Sequence, residues 1–162
     1  MSGLTKIAEV VDISGAGTSE PVERVLDRLD SILNIPHVVV LDGDQKDKKK
    51  GTHIQFLPYR DIEYVLLLDP DAVYKSISEI VQENPKDFGL SAELHITPKE
   101  TKELIEDSIN QNLKGDKILE MLFQKVHSGL HYNKRKYGPK IAEKMDARSL
   151  ESLRYFFEHL FN

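Results

Sequence analysis

The segment His37-Val38-Val39-Val40-Leu41-Asp42-Gly43-Asp44 constrains this chain more than any other. Four apolar residues, three of them valines in succession, predict a strand buried on both faces, the pattern of an inner parallel strand. The run stops at Asp42, and Asp44 follows two positions later. Side chains alternate along an extended segment, so carboxylates at i and i+2 project the same way. Gly43 between them lets the backbone bend or another group come close. Ligands of open α/β sheets sit outside the carboxyl ends of the strands. The pair therefore reads as a divalent-cation site; the blander reading is a polar turn, since Asp-Gly is a common turn dipeptide.

The surrounding pattern supports an α/β sheet. Residues 6–13 read as a strand, Ser14 to Ser19 as a tight turn with Gly15 and Gly17, and Val22, Val25, Leu26, Leu29, Ile32 and Leu33 as the apolar face of a helix. The Ile35-Pro36 step ends that helix and leads into the valine strand, giving β-α-β with parallel strands. A charged loop, a short strand at about residues 53–57 and a helical segment from Asp61 follow. Asp69-Pro70 is an N-cap and first-turn pair for a helix to about Glu83, before breaks at Pro85 and Gly89. Thr97-Pro98-Lys99-Glu100 is a capping box whose helix turns Leu104, Ile105, Ile109 and Leu113 inward. Further helices are predicted at residues 117–127, from Pro139 to Met145, and at residues 149–161, the last with Leu150, Leu153, Phe156, Phe157 and Leu160 on one face. The expected architecture is α/β: a small parallel Rossmann-like sheet flanked by helices in residues 1–90, and a helical C-terminal extension in residues 91–162.

Absence of cysteine excludes disulfides, thiolate zinc sites and a cysteine nucleophile. No apolar stretch approaches a membrane span and no signal-peptide pattern opens the chain, so a cytoplasmic location without membrane association is expected. Charge is unevenly placed. Residues 1–113 carry 12 Lys and Arg against 21 Asp and Glu, whereas residues 114–148 carry 9 against 4. An acidic body beside a basic segment suits metal-binding acids next to a polyanion-binding face, though a charged helix pair facing water fits the same counts.

Glu63 is the next candidate ligand. It lies in an apolar run from Ile62 to Leu68, where a carboxylate is seldom buried without a partner; the alternative is a surface glutamate paired with Arg60. The Gly15/Gly17 turn lacks the third glycine of a dinucleotide fingerprint and the lysine of a P-loop. His127 and His131 are four apart, but no glutamate stands at the zincin position and Gly129 weakens the helix. No Gly-x-Ser-x-Gly elbow occurs. His131 to Lys140 is the strongest basic and aromatic patch, able to neutralise a phosphate backbone or charge on a scissile phosphate, or else an exposed basic loop.

Together, the glycine turn, the strand ending in Asp42-Gly43-Asp44, the stretch Leu57-Pro58-Tyr59-Arg60-Asp61-Ile62-Glu63-Tyr64 with its leucines and Asp69-Pro70, Gly115-Asp116-Lys117-Ile118-Leu119 and the lysines of residues 134–140 resemble the Toprim domain of OLD-type (overcoming lysogenization defect) ATPase-nucleases. The resemblance covers about residues 5–145. It implies a Toprim fold that binds Mg²⁺ or Mn²⁺ and cuts DNA phosphodiesters, with Asp42, Asp44 and Glu63 as metal ligands and Lys134 or Lys140 as the lysine near the scissile phosphate. The family's Glu-Gly strand has no counterpart here, and there is no P-loop. The resemblance thus implies either a fragment of a larger ATPase-nuclease, incomplete alone and with its ATPase in the same or a companion chain, or a stand-alone relative lacking part of the site; the fragment is the favoured reading, and a homo-oligomer is a further expected partner. Competing readings are a non-catalytic nucleic-acid-binding or assembly module, and a phosphotransferase or phosphatase acting on a small substrate.

Overall fold

A computed structural model describes residues 38–47, 54–83, 95–127 and 129–160. The expected strand at residues 6–13, the Gly15/Gly17 turn, the helix that follows it, and the breaks at Pro85 and Gly89 lie outside the described residues.

Strands β1 (Val39–Leu41) and β2 (Ile54–Phe56) form a parallel pair, with Val39 opposite Ile54, Val40 opposite Gln55 and Leu41 opposite Phe56. Residues 42–53 connect them, about the dozen that a parallel connection requires. The expectation of a valine strand sealed on both faces needs correction. Val39, Val40 and Leu41 are all partly exposed, and among the described residues β1 pairs only with β2.

Most of the described chain is helical. Helix α1 (Ile62–Leu66) is capped by Asp61, whose carboxylate accepts the Tyr64 N–H at 3.1 Å. Helix α2 (Pro70–Glu83) begins at a proline, whose missing N–H costs nothing in a first turn. Helix α3 (Pro98–Asn110) has both halves of its capping box: the Glu100 N–H donates to Thr97 Oγ1 at 3.2 Å, and the Thr97 N–H to Glu100 Oε2 at 2.8 Å. Helices α4 (Gly115–Val126), α5 (Lys134–Ala142) and α6 (Glu151–His159) complete the order, α6 preceded by a 3₁₀ turn at Ala147–Leu150. Helix α2 packs against α3 and α5, and α1 against α4 and α5. Their shared interior holds Val73, Ile77, Ile80, Ile105, Ile118, Leu119, Leu122, Phe123 and Ile141, all at most 2% exposed.

Three sequence expectations are corrected here. Pro139 does not open a helix; it lies inside α5, which starts at Lys134 because the Asn133 side chain caps it, accepting the Lys136 N–H at 3.0 Å. Burial of Tyr137, Gly138 and Ile141 against the core carries the helix through the proline. Ile109 is 40% exposed, because the buried row of α3 is Thr101, Ile105 and Ser108, at i, i+4 and i+7. On α6 no residue is fully buried, and Phe157 is 44% exposed.

Asp69 joins the start of α2 to the C-terminal segment. Its Oδ1 accepts the Ala72 N–H at 3.0 Å, while Oδ2 accepts the Asp146 N–H at 2.8 Å and the Ser149 hydroxyl at 3.3 Å. Burial works to raise its pKa, but these hydrogen bonds and the Lys75 charge together outweigh burial and lower it. Replacing Asp69 by alanine removes a helix cap and two further bonds, so a loss of about 1–2 kcal/mol is expected in urea denaturation at pH 7. The depressed pKa means that the Asp69 contribution is complete above the ordinary carboxylate value and is lost as pH falls through the lowered one. The variant and the parent should therefore converge in stability on strong acidification.

Candidate functional site

The two strand ends continue side by side as a hydrogen-bonded stitch. The Leu57 N–H donates to Leu41 O at 2.8 Å, the Gly43 N–H to Tyr59 O at 3.0 Å and the Asp44 N–H to Arg60 O at 3.0 Å. Asp42 ends the extended run and Gly43–Gln45 is a 3₁₀ turn, so Asp44 is delivered by a turn and not by strand alternation, a correction to the i, i+2 argument. Gly43 is required by close approach: a methyl here would overlap the Tyr59 carbonyl and stand 2.9 Å from Leu57 O.

Asp61 ties a third segment to these two. It is buried, caps α1, and accepts the Gly115 N–H at 3.1 Å, joining the first turns of α1 and α4. A methyl on Gly115 would overlap the Asp61 carboxylate and lie 2.7 Å from Glu63 Cβ and 2.8 Å from the Tyr64 nitrogen. Lys114, just before Gly115, reaches Asp44 Oδ2 at 3.5 Å. The Tyr64 hydroxyl donates to Leu113 O, closing the junction.

Glu63 is 6% exposed, and its partner is Lys134 at the start of α5, with Nζ 2.9 Å from Oε1. The expected Arg60 pairing is not made: the Arg60 guanidinium donates instead to Asn112, to Oδ1 at 2.6 Å and to the backbone carbonyl. Asn112 has φ of 57°, and its short polar side chain makes it one of the few non-glycine residues at ease there. Asn112→Gly should stay within about 0.5 kcal/mol of the parent in thermal melts, and Asn112→Val should lose more than about 1 kcal/mol, since a β-branched residue tolerates this conformation poorly.

Lys140, the other lysine expected near phosphate, is not brought to the carboxylates. Its ammonium pairs with Glu83 of α2 at 2.7 Å, and its carbonyl accepts the Ser76 hydroxyl at 3.2 Å. His131 Nδ1 lies 2.7 Å from Glu120 Oε1, and Glu120 Oε2 also accepts the Tyr132 N–H at 2.7 Å. This bond anchors the loop before α5.

Four carboxylates, Asp42, Asp44, Asp61 and Glu63, thus come from two adjoining segments, with Lys114 and Lys134 against them. Burial first, and then the charges of Glu63, Asp61 and Asp44, raise the pKa of Asp42 against the lowering effect of Lys134. Burial also raises Asp61, with Glu63 and Asp116 adding to it and the Gly115 and Tyr64 amides opposing. The Tyr132 hydroxyl is buried without a hydrogen-bond partner. Burial and the charges of Glu63, Asp116 and Asp61 hold it far above the usual phenol range, so it remains a neutral donor. Sequence reasoning missed Asp61, Asp116, Lys114 and Tyr132 as members of this group. The N-cap spacing from Asp61 to Tyr64 is visible in the sequence, but the bond to Gly115 spans 54 positions.

Carboxylate oxygens are the donors that Mg²⁺ and Mn²⁺ prefer, and the mutual repulsion expressed at Asp42 is a cost that such an ion would remove. The donor chemistry fits; a finished coordination shell is not formed. Among the described residues no three Asp, Glu, His or Cys side chains are grouped closely enough to hold an ion, and ammonium groups stand against Glu63 and Asp44 instead.

No protein-family model, curated protein or solved structure matches this chain. Among the described residues no helix is long and apolar enough to cross a membrane.

Proposed function

We propose that this chain is a Toprim-like nuclease domain, part of a larger ATPase-nuclease, in which Asp42, Asp44 and Glu63 hold Mg²⁺ or Mn²⁺ and Lys134 addresses the scissile phosphate of DNA. One observation carries this reading. Lys134 is held 2.9 Å from Glu63, at the edge of a group of carboxylates from the turn after β1 and the first turn of α1. The resemblance of the Asp42-Gly43-Asp44 and Asp61-Ile62-Glu63 stretches to Toprim sequences supports it.

The bound ion would supply water activation and offset charge on the leaving oxygen. The chain's own residues prepare the rest. Lys134 is 60% exposed at its side chain and so faces both Glu63 and solvent, where a phosphate oxygen can reach it. Arg135 and Lys136 follow on the same first turn of α5, whose N–H groups also favour an anion. The Asn133 cap and the Glu120 grip on Tyr132 fix where that turn begins. Tyr132 supplies an uncommitted donor beside the acids.

Nicking of supercoiled plasmid in Mg²⁺ or Mn²⁺ tests the reading. Lys134→Ala should lower cleavage about 10²-fold or more, since removing one group that stabilises transition-state charge has that effect. Lys140→Ala should change it less than about threefold. Equal losses for the two lysines would remove Lys134 from its assigned role. DNA affinity without any cleavage, unchanged when Asp42 and Asp44 become Asn, would favour the non-catalytic binding module instead.

A further inference from the structure

The turn after β2 has two sides. The backbone of Tyr59 accepts the Gly43 N–H of the carboxylate loop, while its hydroxyl is hydrogen-bonded to Ser152 of α6. On that second side, β2, Pro58 and α6 enclose a groove of about 850 Å³, within the usual size range of small-molecule sites. Its wall carries Tyr155, Phe156 and His159 from α6, Gln55 from the outward face of β2, and Arg148 from the preceding 3₁₀ turn; Glu151 also lines it.

The chemistry of the wall is specific in kind. Tyr155 is 65% exposed and lies against the His159 ring, with centroids 4.0 Å apart and planes inclined by 33°. The His159 ring is steadied by a hydrogen bond of 2.8 Å between its Nδ1 and Tyr155 O. Two stacked rings open to solvent are a platform for a third flat ring. Gln55 brings an amide with a donor and an acceptor in one plane, the complement of a base edge. The Arg148 side chain is 94% exposed, and its contact with Asp146 is long, at 3.9 Å. Near-balanced charge from Arg148 and Glu151 suits a neutral ring better than a bare phosphate.

We infer that this groove binds an unpaired nucleobase of the same strand whose phosphate the carboxylate side addresses, making single-stranded or frayed DNA the favoured substrate. The inference rests on the nuclease reading above for its choice of ligand. It is argued from the Tyr59 turn, whose backbone holds the carboxylate loop and whose hydroxyl holds α6, and from the rings, amide and guanidinium that a base and its backbone need. Bases stack on aromatic side chains whatever their sequence, so little base preference is expected.

Fluorescence anisotropy with a labelled oligo-dT and oligo-dA, and with a duplex of mixed sequence, tests this. Tyr155→Ala should weaken both single strands about tenfold, Tyr155→Phe should keep most of the affinity, and Arg148→Ala should weaken it severalfold. Duplex affinity should change less than about twofold in all three. Unaltered circular dichroism melts establish that the variants are folded. A parent that binds single strands in this way but does not nick would sink the nuclease reading alone. Single-strand affinity that is absent in the parent, unchanged in Tyr155→Ala, or lost equally for duplex would overturn the base-binding assignment. A change of oligomeric state in Tyr155→Ala by light scattering would do so as well, by giving the groove to a second copy of the chain.

Discussion

Replacing Gly43 by alanine will destabilise the protein by about 3–5 kcal/mol, lowering the urea midpoint and abolishing the carboxylate site with it. Overpacking in a yielding environment costs about 1–3 kcal/mol. Here the obstacle does not yield, because the methyl meets two backbone carbonyls, Tyr59 O and Leu57 O, instead of a side chain that can turn aside. Relief requires the two strand ends to part. That breaks the bonds from the Gly43 and Asp44 amides, each contributing about 1 kcal/mol, and exposes their partners. The gain of about 0.4–1 kcal/mol from a less flexible unfolded chain is too small to compensate. Gly138 provides the control. A methyl there would stand 3.5 Å from the Tyr132 hydroxyl, an ordinary contact, in the interior of α5. Helix propensity favours Gly138→Ala but the Pro139 ring opposes a Cβ on the preceding helical residue, so the two should offset and leave the variant within about 1 kcal/mol of the parent. Equal effects at the two glycines would show that the stitch between the strand ends is not formed in solution.

The same stitch explains what the sequence could and could not disclose. Local rules located most helices, because caps are written in adjacent residues: Thr97 with Glu100, Asp69 with Pro70, and Asp61 three positions before Tyr64. The valine run and a short strand at about residues 53–57 could each be marked from pattern, but not that these two would pair. Local rules failed where packing decides. Asn133 and the burial of Ile141 override Pro139 as a helix start, and a shift of one position along α3 turns Ile109 outward. In the site, Asp42, Asp44 and Glu63 could be named from pattern, but their neighbours could not. Lys134 and Lys140 are indistinguishable as lysines in one basic stretch; six positions on a helix separate one beside Glu63 from one beside Glu83. Asp61 resembles a plain N-cap until Gly115, far along the chain, is seen to need its carboxylate.

Asp42→Asn should move stability and activity in opposite directions. Burial and the neighbouring charges of Glu63, Asp61 and Asp44 make the ionised form of Asp42 unfavourable in the fold, even with Lys134 near. An amide of the same shape carries no such penalty, so the metal-free variant should melt at a higher temperature at pH 7. The sign with pH follows from the raised pKa. Below the ordinary carboxylate value the Asp42 carboxyl is protonated in both folded and unfolded chains, and parent and variant should coincide. As pH rises through the raised value, the folded parent alone bears the cost of ionisation, and the gap should open to its neutral-pH size. Mg²⁺ should then reverse the order. Occupancy at about 100 times the dissociation constant stabilises the parent by about 2.7 kcal/mol, whereas the variant, with one carboxylate removed, should gain much less. Plasmid nicking should fall by about 10²-fold or more in the same variant. A parent that melts at one temperature with and without Mg²⁺ would sink the metal-site reading, whatever the nicking assay gives. A variant that loses stability at pH 7 would show instead that Asp42 holds the fold together, and that its carboxylate is not kept under repulsion for a cation to relieve.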